Sequence, residues 1–123
     1  MKKVLLATLA LMGTYGISKA ANVLTVNNLT ACSYTLSLAG GGIVTVGPGV
    51  TTFNSYPATN ITEAKVVYIV GGGATNVGFG VGMSNPYANS LGQPTPPCLT
   101  SSTFFTGSWA QSAATANATL IIF

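Results

Sequence analysis

The chain has 123 residues, 48% of them hydrophobic and only 4% charged, where an average globular chain has about 25% charged. It contains no His and no Asp, and its charged side chains are Lys2, Lys3, Lys19, Lys65 and Glu63. That inventory excludes Ser–His–Asp and Cys–His nucleophiles and paired-carboxylate chemistry, and it leaves zinc and calcium sites without ligands.

The first element is a targeting segment. Met1-Lys2-Lys3 is a short positive start, and residues 4–12 (VLLATLALM) form an uncharged apolar run. Ser18-Lys19-Ala20 then places small residues at the two positions a signal peptidase reads. Together they predict a cleaved signal peptide over 1–20, bacterial in style, and a single domain over 21–123. The apolar run is shorter than the about 20 residues needed to cross a bilayer, so no membrane span is expected after cleavage. The product is expected to be secreted, extracellular or periplasmic. Cleavage removes three of the four lysines. The whole-chain charge of +3 and pI of 9.1 therefore carry no argument for a nucleic-acid partner, and none is expected.

After the signal, strand signals dominate. Residues 22–27 (NVLTVN) read as a first strand. Residues 32–38 (CSYTLSL) alternate, with Cys, Tyr, Leu and Leu on one face and Ser, Thr and Ser on the other, the pattern of a half-buried antiparallel strand. The triple glycine at 40–42 turns it into 43–46 (IVTV), and Gly47-Pro48-Gly49 leads to a short strand at 51–53. Residues 65–70 (KVVYIV) are nearly continuous in apolar side chains, which predicts a strand buried on both faces at the centre of the core.

A second triple glycine at 71–73 marks a second hairpin. Residues 76–83 (NVGFGVGM) alternate strictly, and their glycines leave one face bare for a close neighbour. Residues 84–97, with four prolines, read as the longest irregular stretch. Short strand pieces are expected at 103–105 and 108–110 around Gly107, with the Ala-rich 108–118 also open to a helical reading, and a last strand at 118–123. Seven or eight short strands with turns every 8–12 residues indicate an all-β fold, a small antiparallel β-sandwich or partly open barrel. Residues 21–123 are too few for a membrane-spanning barrel, whose eight strands need about 9–11 residues each.

Cys32 and Cys98 are the only cysteines, and in an exported chain they predict one disulfide. It closes a loop of about 67 residues, which the chain-entropy argument values at roughly 4 kcal/mol. No metal and no cofactor is expected.

The remaining candidate binding groups are aromatic. Tyr56 and Tyr87 stand in Pro- and Asn-rich sequence and Trp109 among small residues. Exposed rings beside Asn or Gln suit a sugar face, whereas Trp109, Phe104 and Phe105 equally suit a core. Glycosylation sequons occur at Asn28, Asn60 and Asn117, close to the number chance provides. Glu63 and Lys65, two apart on one strand, share a face.

The leading expectation is a non-enzymatic secreted or cell-surface structural protein that associates with itself through strand edges, with 118–123, free of charge, Pro and Gly, as the edge. The other reading is a small binding module for a glycan or a protein partner, or a secreted inhibitor or effector.

Overall fold

The computed structural model describes residues 21–70, 73–81, 86–100 and 102–123. The predicted signal peptide lies outside the described residues. The expected all-β sandwich is what forms: nine strands, no helix among the described residues, and two packed sheets. The strands are β1 (Val23–Asn28), β2 (Tyr34–Ala39), β3 (Gly42–Val46), β4 (Gly49–Asn54), β5 (Glu63–Val70), β6 (Gly73–Gly80), β7 (Tyr87–Asn89), β8 (Thr106–Ala110) and β9 (Ala118–Ile122). One sheet has the order β4-β1-β9-β8-β7 and the other β3-β2-β5-β6. All neighbours are antiparallel except β1 and β9, which run parallel with Leu24 opposite Ala118.

Alternation explains the core. Leu24 and Val26 of β1, Leu36 and Leu38 of β2, Val77 and Phe79 of β6, and Leu120 and Ile122 of β9 point inward and are buried. Their intervening neighbours face out. The Tyr34 ring is buried in this core, edge-on to Tyr68 at 5.9 Å and tilted against Phe105 at 5.0 Å, separations typical of favourable aromatic pairs. Burial pushes the Tyr34 phenol above its ordinary value near 10, against a smaller lowering by the Thr30 hydroxyl.

Two asparagines bracket β1 and knit it to the loops. Asn22 donates through Nδ2 to the carbonyls of Ile61 (3.0 Å) and Ala116 (2.9 Å) and accepts from the Ile61 N–H (2.8 Å). Asn28 donates to the carbonyls of Cys32 (2.7 Å) and Gly47 (3.2 Å) and accepts from the Thr30 N–H (3.0 Å). Both are buried, and such groups persist in a core because their hydrogen bonds are complete.

Several expectations need correction. β5 is central in its sheet but not buried on both faces: Ala64 and Val66 face the core, while Lys65 is exposed and Ile69 is 78% exposed on the outer face. Its apolar run mixes an inner face with an apolar outer one. The close neighbour expected on the bare face of 76–83 is met at Gly80, where a Cβ would come within 2.9 Å of the Thr62 carbonyl oxygen, and a second close approach lies outside that strand. Gly78 has open space around it, whereas a Cβ at Gly107 of β8 would come within 2.3 Å of the Phe79 ring. Gly107 thus lets the two sheets close over Phe79. Of the two pieces expected around Gly107, 108–110 belongs to β8 whereas 103–105 lies before it and outside any strand; 111–117 are turns and bends, and the stretch read as irregular contains β7.

The strand at 118–123 is not an edge. β9 lies between β1 and β8, its backbone paired on both sides, and Ile122 is fully buried. Association through that strand is ruled out. No helix among the described residues is long and apolar enough to cross a membrane.

Candidate functional site

The sheet orders leave four edge strands, two on each side of the sandwich. β6 and β7 form one side, β3 and β4 the other.

The β6/β7 side is covered. The segment between β7 and β8 runs back along β6: the Gln93 side chain accepts from the Asn76 N–H, and the Thr75 hydroxyl donates to the Pro94 carbonyl. The same segment is held by the Cys32–Cys98 disulfide, with a Cα–Cα distance of 5.4 Å, within the usual range for such bridges. Phe105 anchors its end in the core, and its N–H donates to the Ser90 hydroxyl at 3.0 Å. The inward side chains of β6, Thr75, Val77 and Phe79, are all buried. β7 is only three residues long.

The β3/β4 side is built differently. β3 leads through Gly47-Pro48 directly into β4, which belongs to the opposite sheet, so consecutive strands edge both sheets on one side. The two ends of this frame are tied. At one end Asn28 holds the Gly47 carbonyl. At the other the chain leaving β4 returns to the tip of the β2–β3 hairpin: the Tyr56 N–H donates to the Gly40 carbonyl at 2.8 Å, and its hydroxyl lies so close to Gly42 that a Cβ there would come within 2.2 Å of it.

Between those ties, the outward peptide groups of β3 and β4 have no hydrogen-bond partner among the described residues. Neither strand carries a charge, a proline or a bulge, since both registers run without interruption. Ile43 is 76% and Val50 66% exposed. Val44 and Phe53, which point toward the core, are only partly buried, so the core itself thins out at this side.

The candidate aromatics are separated. Tyr56 and Tyr87 are both more than half exposed, but Tyr56 follows β4 and rests on the β2–β3 hairpin tip whereas Tyr87 opens β7, and β4 and β7 are the opposite edges of the five-stranded sheet. Trp109 is 5% exposed, packed in the core with its indole N–H 3.3 Å from the Gln111 side chain. No shared aromatic platform results.

The described surface also carries shallow depressions, among them two of similar size. One, of about 400 Å³, is bordered by Leu29, Cys98, Phe104 and Phe123. The other, of about 380 Å³, lies over Ser37, Glu63, Lys65 and Phe79. Glu63 and Lys65 do share the outer face of β5 as expected, and form no ion pair with each other. No group of three or more metal-binding side chains occurs among the described residues. Of the sequons, Asn28 is buried with its amide engaged and Asn117 is exposed.

Sequence reasoning named the disulfide and the exposed tyrosines but missed the β3/β4 side. Its only local signal was the Gly-Pro-Gly link between two short uncharged strands. Comparison with family models, with curated proteins and with solved structures returns no match.

Proposed function

We propose that this chain is a secreted, non-catalytic structural domain of the bacterial cell surface or its surroundings, and that it works by associating with copies of itself. One observation carries the reading: two uncharged edge strands, one from each sheet, stand open on the same side of a sandwich whose other side is covered. Exposed edges are normally blunted by charge, Pro, bulges or cover, and here those devices are absent from β3 and β4. Lys65 and Glu63, the two charges outside residues 1–20, lie on β5. Net charge therefore does little to keep copies apart. Binding of a glycan by clustered aromatic rings gains no support from a geometry that separates Tyr56 from Tyr87 and buries Trp109.

The test is sedimentation of the exported chain across a concentration series at low and high salt. Oligomers that grow with concentration and change little with salt are expected, because an uncharged contact is not screened. A monomer at every concentration overturns the proposal and favours a monomeric binding module.

A further inference from the structure

Self-association leaves open which surface meets which. We infer that the β3/β4 side is the contact, and that it meets the same side of a second copy across a two-fold axis perpendicular to the sheets, with β3 pairing antiparallel to its counterpart and β4 to its counterpart. The inference rests on the self-association proposed above and specifies its interface.

The argument starts from what an open edge demands. Unpaired N–H and C=O groups in a row are satisfied by an extended strand. A helix or a globular surface presents no matching ladder. The two edges stand on one side because β3 and β4 are consecutive, joined only by Gly47-Pro48. The Gly47 tie to Asn28 and the Tyr56 contact with Gly42 hold the two strands in a fixed frame. An incoming partner therefore has to supply two strands at sheet spacing, about 10 Å apart. The one object on the page with that shape is the same side of another copy. A single two-fold normal to the sandwich makes both pairings antiparallel at once, and isologous contacts of this kind are the commonest in soluble oligomers.

Charge points the same way. Neither strand carries a charge, so an ionic partner finds no complement, while two identical uncharged edges meet without repulsion. The half-covered Val44 and Phe53 then gain cover from the partner's own Val44 and Phe53. Strands of five and six residues on two layers present a side of roughly 20 Å by 20 Å, at the small, reversible end of protein interfaces. Hence the association is expected to be concentration-dependent, not permanent. Two sheets of four and five strands become continuous sheets of eight and ten.

The test uses the full chain, expressed with export and purified oxidised. Ile43→Lys with Val50→Lys places like charges on both edges at positions already exposed. Ile69→Lys, on the outer face of β5 and 78% exposed, makes an equivalent change away from the edges. Circular dichroism melting checks that all variants fold. In sedimentation the double edge variant is expected to associate at least tenfold more weakly, and Ile69→Lys to match the parent. If the parent associates and the edge variant matches it, the β3/β4 interface is wrong while self-association stands. If the parent is monomeric throughout, both fall. Should the edge variant unfold, a disulfide trap decides: Thr45→Cys in the parent chain is expected to give a covalent dimer on mild oxidation, and its absence at concentrations where the parent associates overturns the interface.

Discussion

On the β6/β7 side of the sandwich, the edge of β6 is met by Gln93 and Pro94, and the segment carrying them is fastened by a disulfide and by Phe105 in the core. On the β3/β4 side, two strands of similar length have only their ends tied, and the row between is bare. The same composition serves both. What differs is where the chain has residues to spare: the stretch between β7 and β8 is long enough to fold back over an edge, whereas β3 and β4 are joined by two residues that reach no further than the turn. One side is thus a closed wall whose interactions stabilise the fold. The other carries Val46 into the core but leaves its outward row of peptide groups without cover.

That contrast predicts how substitutions divide. The largest loss of stability is expected from replacing Cys32 and Cys98 together by Ser. Opening a loop with a sequence separation of 66 costs roughly 4 kcal/mol, or on the order of 20 °C in melting temperature for a domain of this size. Thermal unfolding of the double variant against the oxidised parent measures it. An unchanged melting temperature means the wall holds without its bridge.

Asn28→Ala comes next. It strands the carbonyls of Cys32 and Gly47 and the Thr30 N–H, and a cost of about 3 kcal/mol is expected in urea unfolding. Because Asn28 also ties the foot of the open side, this variant is expected to associate less well than its stability alone implies. Gly107→Ala forces a methyl against the Phe79 ring and is expected to cost about 2 kcal/mol by overpacking, read from the same urea curves.

A further effect appears only in alkali. Burial raises the Tyr34 phenol above its unfolded value near 10, so the unfolded chain loses its proton first as pH rises. Stability from this group is complete below about pH 10 and is lost as pH climbs through the higher folded value. Urea midpoints of the parent are expected to fall in that window, and those of Tyr34→Phe to fall less. Smallest of all, Ile43→Lys with Val50→Lys is expected to change unfolding free energy by no more than about 0.5 kcal/mol per site, although these residues border the contact. A large destabilisation there erases the distinction between the two sides.

The sequence made the strands legible where alternation was strict. Residues 32–38 and 76–80 kept the faces their pattern indicated, with Tyr34, Leu36, Val77 and Phe79 inside. It misled where apolar residues are not buried: Val67 and Ile69 extend a hydrophobic run onto an outer face, and composition alone does not distinguish that from a doubly buried strand. β7 was illegible because Tyr-Ala-Asn has no pattern of its own, and its pairing comes from Ser108 and Thr106 across the ladder. The two sides were illegible for a deeper reason. Which strand is an edge depends on non-local pairing, above all the parallel register of β1 with β9, which places the chain's last strand inside the sheet.

Amide hydrogen exchange at two protein concentrations tests the central claim most directly, since it reads both sides in one experiment. The N–H of Asn76, held by Gln93, and those of β6 paired to β5 are expected to be protected equally at low and high concentration. The outward N–H groups of β3 and β4 are expected to exchange freely when dilute and to gain at least tenfold protection when concentrated. Open-side amides that exchange at the same fast rate at both concentrations would contradict the account.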